Sequence, residues 1–412
     1  MLSTKAPAPR IQPGRQPWTK GQVVRGVALF SALSASGLLG YRLFVLSPQY
    51  DGPEIDLRGK TVLVTEPDAR VSRELLHGLA KRGAQLIMAS NNVDSCVKTR
   101  DKLLKATRIN PSRIDCRQLN GDSTRSVRRF AANLLADYPR LDRVIIQSRS
   151  CITGIVAGKR RPTHDGFEHI MGTNYFATYL LTRLLWSRLS ESEDGRLILV
   201  ADTDASARAQ AQAPQLPDSD QLGLPLQDLN FDDPNTFNPK IAYQRSQWFL
   251  TLFADELSRR TAHETMTRVM LVNPVVSLAT APRFSGSGVE TLTTERKVVF
   301  DQAINFITRL VKRKVSATTL FCAVVDPVVL PSRAAKNERV VQSAERFQDL
   351  RLISDQTTLT QNINRTLSAS QYLWKLSEKW TRLDKYPEPL PLPPRLPTPG
   401  NPVAGHVPPG ST

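Results

Sequence analysis

Cysteine and histidine are scarce in this sequence of 412 residues, which contains four cysteines and five histidines. The cysteines are widely separated, at Cys96, Cys116, Cys151 and Cys322. No two of them form a Cys-x-x-Cys pair, and His164 and His169 are five positions apart, so they would not share one face of a helix. This spacing argues against a metal site and favours buried free thiols over a disulfide framework.

Acidic residues are absent from residues 1–25, where five basic residues accompany four prolines. The prolines and the charge predict a disordered, basic N-terminus. Residues 26–41 then carry no charge at all, and because Arg42 can snorkel, the apolar stretch extends over about 21 residues. This stretch predicts a transmembrane signal-anchor helix over 26–47; a cleaved targeting peptide and a buried amphipathic helix are the alternatives.

The basic flank of this segment indicates that the N-terminus lies on the cytosolic or matrix side of a membrane. We therefore expect a single-pass membrane protein of the endoplasmic reticulum. A mitochondrial membrane is the alternative, because a basic, acid-free N-terminus is also typical of a mitochondrial presequence.

The net charge of +17 favours anionic partners such as a membrane surface or a nucleic acid. Neither zinc-finger spacing nor an aromatic RNA-binding motif accompanies that charge, so no nucleic-acid partner is predicted. A chain of this length can bury a full core, and one α/β domain of about 300 residues with flanking tails is expected.

Apolar, β-rich runs alternate with helical patterns along most of the chain. Strands are predicted at 57–65, 84–89, 114–119, 144–146, 195–200 and 269–276. Helices are predicted at 73–82 and 125–138 between them, whereas 205–225, rich in Ala, Gln and Pro, is predicted to be a loop. The alternation is typical of a doubly wound parallel sheet, a Rossmann-like α/β fold.

The stretch 242–260 is predicted to form one helix around which the domain is organised. Its apolar residues recur at helical spacing and should face the sheet, while Asp255 and Glu256 should stay in solvent. Tyr243 and Gln247 are four positions apart and share a face. This segment resembles the active-site helix of short-chain dehydrogenases/reductases, in particular the retinol-dehydrogenase-like branch, whose pattern is Tyr-x-x-x-Lys. Glutamine stands here in place of the lysine.

Further stretches carry the same resemblance, which covers residues 57–383. Residues 163–182 closely resemble the central helix of the family, including Asn174, which in the family holds a water of the proton relay. A pair of serines follows the fifth strand in the family, and here Ala201 and Asp202 replace it. The resemblance therefore implies four counterparts of catalytic residues: Tyr243, Gln247, Asn174 and Asp202. A buried structural role for Tyr243 and Asn174 is the alternative.

The phosphate-binding turn departs from the family pattern Thr-Gly-x-x-x-Gly-x-Gly. Thr65 is kept, but Glu66, Arg70 and Ser72 occupy the three glycine positions. Each added Cβ narrows the approach of a pyrophosphate, and the carboxylate of Glu66 would repel it, although Arg70 partly offsets that charge. The turn predicts weak or altered binding of the NAD(P) cofactor that the resemblance implies.

The remaining cofactor positions are Asn91, Asp122, Ser148 and Pro274. Asn91 stands where the family has the basic residue that pairs with a 2′-phosphate, so NADP loses its charge partner. Asp122 is either the adenine-binding aspartate displaced by two positions or a cap of the helix 125–138, and we favour the cap.

These departures predict a membrane-anchored short-chain dehydrogenase/reductase-like protein that is catalytically impaired and acts by binding. A phenol has an ordinary pKa of about 10, and the family lysine lowers it so that tyrosine can exchange a proton near neutral pH. The alternative is an active NAD(P)-dependent oxidoreductase of a retinoid, steroid or lipid carbonyl or alcohol. Its partners would be a membrane and a lipid-like small molecule.

Proline and glycine dominate residues 386–412, which predicts a disordered, extended tail without core contacts. Residues 391–395 resemble a ligand of SH3 domains, so an SH3-type partner is a further expectation. The helix predicted over 297–314 ends in basic residues that would contact anionic headgroups or simply lie in solvent.

Overall fold

The computed structural model describes residues 56–69, 72–147, 159–212, 228, 230–233, 237–273, 319–324, 345–348, 351–352 and 363–389. The chain divides into the units Met1–Ser47 and Pro48–Thr412, and all the described residues belong to the second. The predicted anchor 26–47, the basic helix 297–314 and the SH3-like motif lie outside them. Within the described ranges, no helix is both long enough and apolar enough to cross a membrane.

A single sheet of mostly parallel strands forms the centre of the domain. Its strands are β1 (Thr61–Thr65), β2 (Gln85–Ser90), β3 (Ile114–Gln118), β4 (Arg143–Gln147), β5 (Arg196–Val200), β6 (Arg268–Val272), β7 (Glu345–Gln348) and β8 (Arg351–Leu352). Their spatial order is β3-β2-β1-β4-β5-β6-β7-β8, and β7 pairs with β8 in the antiparallel sense. The predicted doubly wound sheet is thereby confirmed.

Helices cover both faces of this sheet. They are α1 (Ser72–Lys81), α2 (Val93–Thr107), α3 (Thr124–Asp137), α4 (His169–Met171), α5 (Ala177–Ser190), α6 (Thr203–Gln212), α7 (Pro239–Thr261) and α8 (Ile363–Trp380). A π-helical turn, Gly172–Phe176, joins α4 to α5, and residues 319–324 are also helical. Because α6 begins at Thr203, the prediction of a loop from residue 205 is wrong as far as Gln212.

The strand sequences explain why both faces are covered. Strands β1, β4 and β5 are buried along their whole length, as expected of parallel strands that have helices on either side. Alternate residues enter two separate cores: Leu63 belongs to the core formed with α3, α5 and α7, while Val62 and Val64 belong to the core formed with α1 and residues 319–324. Because β1 to β6 run parallel to one another, their carboxyl ends lie along one edge of the sheet.

Helix α7 is more deeply buried than its sequence pattern predicts. Glu256, expected in solvent, is only 1% exposed. Its carboxylate accepts hydrogen bonds from Arg259 and Arg260 on the same helix and from the hydroxyl of Ser370 on α8 at 3.2 Å. The prediction for Glu256 is wrong because α8, which is distant in sequence, packs against the predicted solvent face.

The prediction of free thiols is wrong for two of the four cysteines. Cys96 on α2 and Cys116 on β3 form a disulfide, with their Cα atoms 6.0 Å apart. Twenty residues separate them in sequence, and only the packing of α2 beside the sheet brings them together. Cys322 is buried and takes no part in a disulfide, in agreement with the prediction, and Cys151 lies outside the described residues.

The end of α8 is held by a buried arginine. Arg128 on α3 donates hydrogen bonds to the carbonyl oxygens of Thr381, Tyr386 and Glu388 at 2.7–3.0 Å. Burial lowers the pKa of Arg128, yet these three acceptors satisfy its guanidinium. Contacts with the domain thus continue to Glu388, inside the segment predicted to be a free tail.

Replacing Arg128 by Met should lower the melting temperature by about 3–8 °C, because three carbonyl groups lose a charged donor worth about 1.5–3 kcal/mol. Arg129→Met is the matched control, since Arg129 is exposed on the next position of the same helix.

Removing residues 390–412 should leave the melting temperature unchanged, whereas removing 386–412 should lower it. Equal melting temperatures for both truncations, measured by calorimetry, would contradict the anchoring role of Arg128.

Candidate functional site

A cavity of about 670 Å³ opens where strands β1, β2, β3 and β4 end. Four of the predicted cofactor residues line it: Thr65, Glu66, Asn91 and Asp122. Ligands of open parallel sheets bind at this edge, because the connecting loops leave a crevice beyond the carboxyl ends of the strands. Arg70, Ser148 and Pro274, also predicted at this site, lie outside the described residues.

The turn after β1 keeps a glycine-like conformation without glycine. Glu66 has φ 51°, in the left-handed region that an L side chain adopts at a cost of about 1 kcal/mol. The hydroxyl of Ser72 donates to the carbonyl oxygen of Glu66 at 2.8 Å and accepts from Nε2 of Gln147 at 3.2 Å. Ser72 is therefore a structural tie of the turn, and a second carboxylate, Asp68, lies two residues after Glu66.

Thr65 is held on the opposite side of that turn. Its hydroxyl donates to the carbonyl oxygen of Gln147 at 3.0 Å and accepts from the backbone N–H of Gln147 at 2.8 Å. The side chain thus joins the ends of β1 and β4 and fixes the floor of the cavity. Thr65 fills its family position, and it does so as a strand-to-strand link.

Asp122 does not cap helix α3, so that prediction is wrong. Ser123 is the N-cap, and Oδ1 of Asp122 instead lies 2.5 Å from Nδ1 of His169. The guanidinium of Arg161 donates to Nε2 of His169 at 2.7 Å. These partners assign Nδ1–H as the donor of a neutral imidazole. No pattern in the sequence indicates this group, because Asp122 and His169 are 47 positions apart and meet only across the cavity.

Glu168 is a second cavity residue that sequence reasoning missed. It is 1% exposed, and its two carboxylate oxygens accept the backbone N–H groups of Ile170 and Met171 at 3.0 and 2.9 Å. Burial raises the pKa of this carboxyl group, while the two N–H groups oppose that shift. Glu168 is the N-cap of α4 and sets the start of the segment that carries His169 and Asn174.

The predicted catalytic residues gather in a second place, around the start of α7. The hydroxyl of Tyr243 donates to Oδ2 of Asp202 at 3.2 Å. Oε1 of Gln247 accepts the backbone N–H of Asp202 at 2.9 Å. All three residues are at most 1% exposed. Tyr243, Asp202 and Gln247 are thus brought together as predicted, but they bind one another inside the protein.

The carboxylate of Asp202 is supported from the other side by α6. Its Oδ1 accepts the backbone N–H of Ala205 at 2.8 Å, at the N-terminus of that helix, where a negative charge is favourable. A guanidinium nitrogen of Arg208 lies 4.0 Å from the same oxygen. Any negative charge that develops on the Tyr243 hydroxyl during a reaction would therefore face this carboxylate.

Asn174 lies in the π-helical turn, where such irregular turns often mark functional positions. Its Nδ2 donates to the hydroxyl of Ser246 at 3.0 Å, and that hydroxyl donates to the carbonyl oxygen of Tyr243 at 2.7 Å. Its Oδ1 has no hydrogen-bond partner within the described part of the chain. Asn174 therefore touches the Tyr243 helix through Ser246, and one buried acceptor remains open.

Within the described part of the chain, the two groups of residues lie apart. The residues that line the described cavity do not include Tyr243, Gln247, Asn174 or Asp202. The cofactor-side residues face a crevice, whereas the catalytic counterparts are enclosed in the core.

Comparison with known proteins accounts for this arrangement of strands, turn and helix. Residues 60–214 match the sequence model of the short chain dehydrogenase family. Human retinol dehydrogenase 13 is 29% identical over 232 residues, which cover 55% of this chain and 62% of that protein. Human retinol dehydrogenase 14 is 28% identical over 265 residues, covering 58% of this chain and 72% of the relative. Residues 60–214 thus resemble short-chain dehydrogenases/reductases, and the relatives to which the chain is similar are retinol dehydrogenases.

Further comparisons show similar sequences and a similar fold. Mouse retinol dehydrogenase 11 is 31% identical over 209 residues, which cover 50% of the chain and 58% of the relative. The chain thus spans less than two thirds of the length of several curated relatives that it matches. A crystal structure of an uncharacterised protein from Mycobacterium paratuberculosis has the same fold, with a TM-score of 0.51, 22% identity and coverage of 80% of this chain and 95% of that one.

Exchanging Glu66 for Gly should raise the free energy of unfolding by about 0.5–1 kcal/mol, because glycine adopts a positive φ without steric cost. Arg108, with φ 54° at the end of α2, is the matched control. Arg108→Gly should stabilise the domain by a similar amount, since it relieves the same backbone strain far from the turn. Denaturant titration measures both values, and destabilisation by Glu66→Gly alone would show that the carboxylate supports the turn.

Proposed function

We propose that this chain is a membrane-anchored short-chain dehydrogenase/reductase-like protein with impaired catalysis, which acts by binding. The observation that carries the proposal is the hydrogen bond from Tyr243 to the buried Asp202, together with glutamine at position 247. The family tyrosine works beside a lysine cation. Here its hydroxyl faces a carboxylate, and the amide of Gln247 is bound to the backbone of Asp202.

Each of these changes acts against proton transfer. A tyrosine that serves as general acid and base must ionise readily, which a neighbouring cation promotes and a neighbouring carboxylate opposes. Loss of one hydrogen-bond donor to a developing oxyanion typically lowers the rate by about 10²–10³-fold. Asp202 replaces such a hydroxyl donor with a negative group, so the loss of rate should exceed that of either substitution alone.

Some of the site residues fit NAD(P), the cofactor implied by the superfamily, and others do not. Thr65, Asn91 and Asp122 face a cavity large enough for a nucleoside. The turn that would hold the pyrophosphate instead presents the Cβ and carboxylate of Glu66, with Asp68 close by in sequence. This end does not fit a dianionic group that binds through backbone N–H groups. We therefore derive no step through the cofactor.

An active NAD(P)-dependent oxidoreductase is the second candidate. It is supported by Tyr243 and Asn174, which occupy their family positions and are linked through the hydroxyl of Ser246, and by the open acceptor Oδ1 of Asn174. A retinoid, steroid or lipid carbonyl or alcohol is the substrate class we associate with this candidate. The names of the retinol dehydrogenases describe those relatives, and their substrate is carried here only as a proposal.

The proposed location is a single-pass membrane protein of the endoplasmic reticulum, with a mitochondrial membrane as the alternative. It is supported by the uncharged stretch 26–41 and its basic flank. The proposed partners are the membrane, a lipid-like small molecule and an SH3-type domain for residues 391–395.

Carbonate should fail to extract the full chain from membranes but should release a chain that begins at Asp51. Extraction of both chains would refute the anchor.

Isothermal calorimetry with NAD⁺ and NADP⁺ tests the binding proposal. The full chain should bind both cofactors at least about tenfold more weakly than its Glu66→Gly variant, because removal of one repulsive charge from the phosphate turn is worth about 1.4 kcal/mol or more. Arg108→Gly should bind like the unchanged chain, since it alters only backbone strain. Tight binding by the unchanged chain would favour the active oxidoreductase.

A further inference from the structure

The Cys96–Cys116 disulfide connects the two elements that form one wall of the cavity. Cys96 lies on the first turn of α2, four residues after the N-cap Asn92, and Cys116 lies at the middle of β3. Asn91 and Asn92 precede α2 and line the cavity, as does Asn120 just after β3. The bridge thus joins the two segments whose ends shape that wall.

Besides the disulfide, β3 is held by its pairing with β2 and by polar contacts with the end of α3: Arg117 lies 2.8 Å from Asp137, and the hydroxyl of Tyr138 donates to Asp115 at 2.9 Å. β3 is the outermost strand of the described sheet, and β2 is its only strand partner there. The backbone N–H of Leu119 donates to the carbonyl oxygen of Ser90, and the hydroxyl of Ser90 accepts the N–H of Asn92 at 3.2 Å. An edge strand held on one side opens more easily than a central one, so a covalent link to α2 has a large effect here.

The two bridged residues differ in exposure. Cys116 is partly exposed on the outer strand, whereas Cys96 is fully buried. A carbonyl oxygen, that of Met88, lies 3.7 Å from Sγ of Cys96 and can accept the S–H of a reduced thiol. A reductant can therefore approach the bridge from the side of Cys116. In the reduced state, the thiol of Cys96 can donate a hydrogen bond to the carbonyl oxygen of Met88.

We propose that the Cys96–Cys116 disulfide is a redox-sensitive brace of the cavity wall, opened by a dithiol reductant. One thiolate of the reductant attacks Sγ of Cys116, the S–S bond breaks, and Cys96 leaves as a thiolate that takes up a proton. The second thiol of the reductant then attacks its own sulfur in the mixed disulfide and releases Cys116, which is protonated in turn. The reductant becomes a disulfide, and two electrons and two protons have passed to the protein.

Opening the brace frees α2 and β3 to move relative to each other. The disulfide closes a loop of about 20 residues, and loss of such a link increases the conformational freedom of the chain. The effect is confined to the wall that carries Asn91, Asn92 and Asn120. The buried group around Tyr243 belongs to the core on the opposite face of the sheet. The inference does not depend on the proposed function, because its readouts are the redox state and the motion of the wall.

Hydrogen exchange of the full chain in detergent, in buffers that contain dithiothreitol and its oxidised form in varied ratio, tests this brace. Reduction without denaturant should raise exchange of 91–98 and 114–122 by roughly tenfold or more and leave 243–257 unchanged. It should also lower the melting temperature by about 5–10 °C.

Two variants separate the disulfide from other effects of the reductant. Cys116→Ala should exchange like the reduced chain in every buffer, and Cys322→Ala should respond like the unchanged chain, because Cys322 takes no part in the bridge. Mass spectrometry of the alkylated chain gives the redox state at each ratio. A bridge that never forms, that resists reduction while the chain stays folded, or that opens without faster exchange in 91–98 would overturn the proposal.

Discussion

Burial of a parallel sheet on both faces is the constraint on which the rest of the structure depends. Because β1, β4 and β5 lie wholly in the core, their side chains hold two sets of helices in register, and the strand ends must open along one edge. The cavity, the turn at Glu66 and the residue Asp202 all follow strand ends at that edge. The superfamily architecture persists because these core positions are apolar, whatever occupies the polar positions beyond the strands.

We propose that one buried hydrogen bond is the main obstacle to superfamily chemistry in this chain. The hydroxyl of Tyr243 is directed at Asp202, whose other oxygen is fixed by the N-terminus of α6. The amide of Gln247 completes the enclosure by holding the backbone of Asp202. Two substitutions that look independent in the sequence, Asp202 and Gln247, therefore form one buried group with Tyr243. Such a group stabilises the start of α7, and we propose that it does so at the expense of proton transfer.

The sequence predicted the sheet because it rests on local patterns, whereas the grouping of Tyr243, Gln247 and Asp202 was expected from the family resemblance. Apolar runs of the right length specify buried strands, and the four-residue spacing specifies the shared face of Tyr243 and Gln247. The misses depend on contacts between distant segments: the burial of Glu256 requires α8, the disulfide requires α2 beside β3, and the pairing of Asp122 requires His169 across the cavity. The periodicity within one segment carries no information about partners in another segment.

Turnover in the presence and absence of the Tyr243 hydroxyl tests the central claim most directly. The unchanged chain and Tyr243→Phe are assayed with NADH or NADPH and a retinal, beside the double variant Asp202→Ser, Gln247→Lys. We predict that the first two give the same background rate, while the double variant gains turnover that a further Tyr243→Phe change removes. A rate for the unchanged chain that falls tenfold or more in Tyr243→Phe would contradict the account, because Tyr243 would then already act in catalysis beside Asp202.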